Sequence, residues 1–447
     1  MKTSPMESRF VLALVPALFA LGCATEPPAE ADAREASGAE ATRDGTAGTP
    51  GPGPACPADN GGIALPDGFC ATVFADDMGR ARHMAIRDDG TMFVMTRPGR
   101  GGEGGGMVAL RDADGDGVAE ERSEIGVSGG TGVAVSGDWV YFAPDGAIMR
   151  VAVPQGALEP TGRPETMVSD LPAYGSHSAK SIALHDGRVY VNIGAPTNSC
   201  QVEDRESGSP GQDPCPELQT RAGVWSFDAG TTGQTQADGE RFATGIRNLV
   251  AITVGPDEAL YGAQHGRDQL AANWGYSAED SSEKPAEEMF RIEAGDDFGW
   301  PYCYYDRQLD RKVLSPEYGG DGSEVGRCAQ KKNPIVAFPG HWAPNGIVFY
   351  EGGGFPPRYR GGAFIAFHGS WNRAPLPQGG YNVVFVPFAD GRPSGDWEVF
   401  AEGFAGDDVS PQGADHRPTG VTVGSDGALY VSDDAGGRIW RIVHAGD

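Results

Sequence analysis

Five short segments of the chain place a histidine, an arginine or an asparagine directly before an apolar, strand-forming run: Arg82-His83, His177, Arg247-Asn248, Pro344-Asn345 and Arg417. A guanidinium grips carboxylates through a planar fork, an amide donates to carbonyl oxygens, and a neutral imidazole takes up a proton near neutral pH. Gathered in one place, this set makes a site for an oxygen-rich anion with a base beside it. Scattered, the same residues are ordinary turn formers. Everything therefore depends on the elements that carry them.

Those elements repeat. A polar residue, a short apolar strand, an Asp/Gly turn and a second strand rich in Tyr, Phe and Val recur as His83-MAIRDDGTMFVM, Gly132-VAVSGDWVYFA, Ser181-IALHDGRVYVN, Asn248-LVAITVGPDEALYG, Gly346-IVFYEGG with GAFIAF, and Gly420-VTVGSDGALYVS. The alternation has period two, and nothing from residue 60 onward holds a helical period over a dozen residues. The spacing widens in the later copies, which predicts long insertions, and 68 glycines and 34 prolines supply the turns. The expected fold is all-β, a six-bladed β-propeller spanning 56–447, with a pair of β-sandwiches as the competing arrangement. In a propeller the residue before each innermost strand faces one mouth of the central channel, so the polar residues above form a ring there.

Read in order, Gly175-Ser-His177-Ser-Ala-Lys-Ser-Ile-Ala-Leu, Thr244-Gly-Ile-Arg247-Asn248, Gln264-His-Gly266-Arg267-Asp268, Phe298-Gly-Trp-Pro301, Gly369-Ser-Trp-Asn-Arg373 and Arg417-Pro-Thr-Gly-Val resemble the PQQ-dependent sugar dehydrogenases, in particular the sorbosone-dehydrogenase-like branch of these quinoproteins. The resemblance runs from about residue 63 to the C-terminus. It implies hydride transfer from an aldose, sorbosone or related sugar or alcohol to PQQ, with His177 as general base. It implies that Arg247 and Asn248 contact the quinone oxygens, that Arg373 and Arg417 bind the carboxylates of PQQ, and that His265 lies beside the cofactor. Gly266 and Arg267 match the pair whose backbone carbonyls hold Ca2+. His83, His341 and Trp342 are expected at the substrate, the last as a ring that stacks on a sugar or else packs within a blade. The acidic residue that precedes the base in glucose-oxidising relatives is Ser176 here, which argues against glucose itself.

The ends set the compartment. Lys2 and Arg9 precede an apolar run from Phe10 to Leu21 that reaches Gly22-Cys23, the pattern of a signal peptide over 1–22 followed by a lipid-bearing Cys23. Residues 23–55 lack aromatic and large aliphatic side chains, so they read as a disordered tether that holds the domain roughly 30 Å from the lipid. Periplasm or cell surface is the expected location, and the membrane enters only through that lipid. Losing two cations and one carboxylate with the signal peptide moves the net charge from −27 to −28. That excludes nucleic acid as a partner and leaves a small sugar or alcohol and a soluble or cytochrome electron acceptor.

Six cysteines remain after Cys23, and the expected bridges are the sequence-local ones, Cys56–Cys70, Cys200–Cys215 and Cys303–Cys328. Asp112-Ala-Asp114-Gly-Asp116-Gly117 spaces three carboxylates as in the first half of an EF-hand loop, with Ser123 at the twelfth position and Glu120, Glu121 or Glu124 as substitutes. It is a second candidate calcium site or a solvated acidic turn. No P-loop, GxSxG elbow or HExxH occurs. A calcium-dependent propeller lactonase would need carboxylates around a metal on the axis, where this chain offers His, Arg and Asn; a non-catalytic binding propeller is the third reading.

Overall fold

A computed structural model describes residues 57–99, 102–374 and 376–446; the expected signal peptide and tether, with Cys23 and Cys56, fall outside the described residues. Six sheets of four or five strands stand around one axis. Blade 1 is Arg80–Ile86, Met92–Arg97, Gly106–Arg111 and Glu121–Ile125, and each following blade repeats this antiparallel order from the axis outward. The innermost strands of blades 2 to 6 are Gly132–Ser136, Ile182–His185, Ala251–Val254, Pro344–Phe349 and Pro418–Val423. Each packs on the next, and Pro418–Val423 returns to Arg80–Ile86. The channel they enclose has a volume of about 300 Å³ and is lined by all six.

The second strands are continuous apolar runs and not an alternation of apolar and polar residues, and the geometry gives the reason. Met92 and Val94 face one blade interface and Phe93 and Met95 the other, so a blade strand is apolar on both sides. One hydrophobic cluster fills each of the six interfaces between neighbouring blades. The Asp/Gly turns are tight hairpins: Asp186 and Gly187 both have positive φ, 45° and 69°, as a two-residue type I′ turn requires. The recurring glycine at the strand entry answers to space. A Cβ on Gly346 would lie 2.4 Å from the carbonyl oxygen of Thr419, and one on Gly420 would lie 2.5 Å from that of Arg82.

Blade 6 is closed by the beginning of the chain. Phe69–Ala75 forms its outermost strand, paired antiparallel with Ile439–His444 so that Phe69 faces His444. The predicted insertions are present as well. Residues 194–222 of blade 3 carry the Cys200–Cys215 bridge, and 293–335 of blade 4 carry Cys303–Cys328. These two excursions lock together where Tyr318 donates to the carbonyl of Ser199. Cys70 is disulfide-bonded, and its expected partner Cys56 lies outside the described residues. Bridges of this kind fit a chain that folds outside the cytoplasm.

Candidate active site at the channel mouth

In an antiparallel blade the innermost strand begins, and the second strand ends, at the same mouth. Strand entries bring Arg82, His83, Asn248, Asn345 and Arg417; second-strand exits bring Arg97, Asp145, His265, His368 and Asp434. Hydrogen bonds tie them across blades. His83 Nε2 donates to the carbonyl of Asn345 at 2.7 Å, and His265 Nε2 lies 3.0 Å from both the Pro344 carbonyl and Asn345 Oδ1. Asp434 receives His368 Nε2 at 2.6 Å on one oxygen and Arg82 at 2.7 Å on the other. Arg97 reaches Asp145 at 2.6 Å. Because their acceptors are backbone carbonyl and amide oxygens, His83 and His265 carry the proton on Nε2 and keep a bare Nδ1. Burial pushes each down to about 4.

His177 is held differently. It occupies the left-handed region at φ 56°, an uncommon conformation for a residue with a Cβ. Its Nδ1 is 2.7 Å from the carbonyl of Ala195, so that nitrogen carries the proton and Nε2 presents a lone pair. Burial first, then the neighbouring Arg247 cation, hold its pKa well below the ordinary value, so the ring is neutral. Asn248 stands beside it. A Cβ on Gly194 would come within 2.6 Å of His177 Cβ and 3.1 Å of Asn248 Oδ1, so only glycine fits between them. The Oδ1 of Asn248 is the acceptor for Asn192 Nδ2 at 3.4 Å, which leaves the Asn248 amide hydrogens for a ligand.

Other predicted residues lie behind this face. Arg247 is buried and donates to Asn198 O, Asn198 Oδ1, Asp268 Oδ2 and the carbonyl of Gly266, all at 2.8–3.0 Å. One lone pair of the Gly266 carbonyl is thereby used and one remains for a metal. The side chain of Arg267 turns to the fully buried Glu317 at 2.7 Å. Arg373 clamps loops through the carbonyls of Ser282, Gly340 and Pro377 and through Glu283. His341 Nε2 donates to the carbonyl of Ser281, and its other nitrogen meets Asn372. Trp342 packs edge-on against Phe367 and Trp397, the contacts of a blade interface. Arg417 remains half-buried at the rim, donating to the carbonyls of His368 and Gly369 and lying over the Tyr381 ring.

The Asp112–Glu120 loop joins the third and fourth strands of blade 1, away from this mouth. Carboxylate oxygens of Asp112, Asp114, Asp116 and Glu120 lie within 4.8 Å of one another. They accept from the backbone N–H groups of Ala113, Gly115, Gly117, Asp116 and Val118. Glu121 instead pairs with Arg111 at 2.8 Å.

His368, Asp434, Asp268 and Glu287 belong to the site's framework and were not singled out from sequence. Glu287 anchors the Gly266 loop by accepting from Gly266 N at 2.8 Å and Ala343 N at 3.1 Å, and burial pushes its carboxyl up to about 8. The available signal was positional: the residue following each second strand reaches the same mouth as the residue preceding each first.

The donor set suits PQQ. Arg82 Nε is buried without a partner, the Asn248 amide hydrogens are unspent, and Arg417 sits at the rim; together these N–H groups complement a planar ligand rich in carboxylate and carbonyl oxygens. A family model described as TrAA12-like matches residues 63–445. A pyrroloquinoline quinone-dependent pyranose dehydrogenase of Coprinopsis cinerea is 27% identical over 231 residues, 44% of this chain and 30% of that protein. The chain spans half or less of the length of the curated relatives it matches. Among solved structures, the holo form of the pyranose dehydrogenase PQQ domain from Coprinopsis cinerea superposes with a TM-score of 0.70 at 18% identity, covering 85% of this chain and 97% of that one. A calcium structure of a Trichoderma reesei carbohydrate-active enzyme of family AA12 gives 0.70 at 18% identity, covering 86% and 97%.

Proposed function

The chain belongs to the TrAA12-like family, and from that premise we propose that it is a PQQ-dependent dehydrogenase that oxidises an aldose, sorbosone or a related sugar or alcohol. The observation that carries the reading is His177, a neutral imidazole with Nδ1 committed to a carbonyl and Nε2 bare. When bound, PQQ supplies an o-quinone that accepts two electrons and the carbinol hydrogen. The protein does the rest. His177 Nε2 takes the hydroxyl proton of the substrate, and its fixed ring needs no reorientation to do so. Asn248 donates to a quinone oxygen, while Arg82 and Arg417 bind carboxylates. Arg247 backs this face by holding the Gly266 carbonyl and keeping the imidazole neutral.

Calcium at the free lone pairs of the Gly266 and Arg267 carbonyls is part of the proposal, supported by the AA12 calcium structure. So is a lipid at Cys23, which labelled palmitate incorporation into the wild type but not Cys23→Ser would test. A hydrolase reading gains little here: Asp145, Asp268 and Asp434 are each paired with an arginine, not open to a metal. The deciding experiment adds PQQ and Ca2+ to the apo-protein and follows dye reduction with aldoses, sugar alcohols and sorbosone. PQQ-dependent reduction is expected; ester cleavage without PQQ, or no turnover, would overturn the reading.

A further inference from the structure

Tyr174 and Trp371 are the two aromatic side chains among the described residues that stay largely in solvent, 69% and 56% exposed. Each stands three residues from a mouth imidazole, Tyr174 before His177 and Trp371 after His368. They lie in the segment that enters the innermost strand of blade 3 and in the loop after the second strand of blade 5, with one blade between them, so the antiparallel order puts both at the same end of the propeller. The residues beside each ring are tied to the protein around them. Buried Arg221 donates to the carbonyls of Tyr174, Ser176 and Gly194 at 2.6–3.2 Å. Its guanidinium also sits 4.9 Å from the Tyr174 ring, supporting that ring on one side. On the other side of the mouth, Tyr381 donates to the carbonyl of Ser370, and Asn372 donates to Asp268 Oδ1 at 2.8 Å, fixing the residues on either side of Trp371.

The other tryptophans and tyrosines are wholly or partly covered by protein. Rings kept in water on braced loops beside a binding mouth forgo that burial, and a ligand with flat apolar faces restores it. The C–H face of a pyranose is such a surface; an open-chain polyol has none. We propose that Tyr174 and Trp371 are stacking platforms for pyranose rings, so that the substrate is a pyranosyl saccharide of two or more units whose reducing-end ring reaches His177. This rests on the sugar-oxidising reading above for the reducing-end ring only. Trp342, the aromatic singled out from sequence, is covered by its own blade and does not compete for this role.

Calorimetric titration of PQQ-free protein with cellobiose, maltose and sorbitol tests it. At least one disaccharide should bind saturably and sorbitol should not. Trp371→Ala and Tyr174→Ala should each weaken that binding by about three- to ten-fold, and Trp371→Phe should largely restore it. Both side chains are exposed, so urea midpoints should not move. Loaded with PQQ, the alanine variants should show a raised KM for the disaccharide and an unchanged kcat. Unaltered affinity in both alanine variants overturns the proposal. So does an absence of disaccharide binding in a protein that oxidises monosaccharides. Disaccharide binding that depends on Trp371 in a protein that reduces no dye would support the platforms and sink the dehydrogenase reading instead.

Discussion

His177 owes its chemistry to two neighbours: the carbonyl of Ala195, which takes the Nδ1 proton, and Gly194, whose missing side chain lets the ring stand against Asn248. His177→Ala should therefore leave PQQ affinity nearly unchanged and lower kcat by about two to four orders of magnitude. Stopped-flow reduction together with cofactor titration would check both halves. Arg417 lies at the rim and holds its place only through two carbonyls and the Tyr381 ring. Arg417→Ala should leave turnover at saturating PQQ largely intact while speeding loss of the cofactor on gel filtration. At this scale the sequence was half legible. Residue type and order pointed to His177, Asn248 and Arg417, whereas the tying of Arg247, Arg267 and Arg373 to carbonyls and buried carboxylates arises from contacts between segments far apart in the chain.

The loop that carries His177 is not a regular element, and two buried basic side chains hold it from beneath. Lys180 Nζ donates to the carbonyls of Pro172 and Ser178 at 2.9 and 2.6 Å, and burial lowers its pKa to about 7. Arg221 holds three more carbonyls of the same region. Arg221→Met would remove the donor from all three carbonyls, of which the bond to Gly194 is buried, at a cost of about 1–3 kcal/mol. The variant should show a lower urea midpoint and a kcat reduced by about ten- to a hundred-fold with the base still present. The strands themselves were readable, because blade strands are covered on both faces and stand out as short apolar runs bounded by turn residues. The insertions at 194–222 and 293–335 were visible only as widened spacing: what folds them is a disulfide each and the contact of one with the other.

Across the whole molecule, burial lowers the pKa of five of the eight histidines, His83, His177, His265, His341 and His368. A group whose folded pKa lies below its unfolded value near 6.5 stabilises the fold above that value, and the stabilisation drains away as pH falls through the folded pKa. For His83, a folded value of about 4 corresponds to about 3 kcal/mol. Urea midpoints of the PQQ-free protein should thus drop steeply between about pH 6.5 and pH 4, with uptake of more than one proton, and His83→Gln should flatten that slope. An unchanged midpoint over this range would contradict the buried, neutral state of the ring. Six blades were countable from the repeat, but the sixth could not be seen to borrow its edge from Phe69–Ala75, since that strand carries no copy of the motif. The borrowing has a temporal consequence. A chain delivered from its N-terminus presents the apolar run Phe69–Ala75 more than three hundred residues before Ile439–His444 arrives to pair with it, so that strand must wait, unpaired and prone to stray association, for its partner. Loss of the final ten residues should accordingly leave an open ring that aggregates, not a stable five-bladed protein.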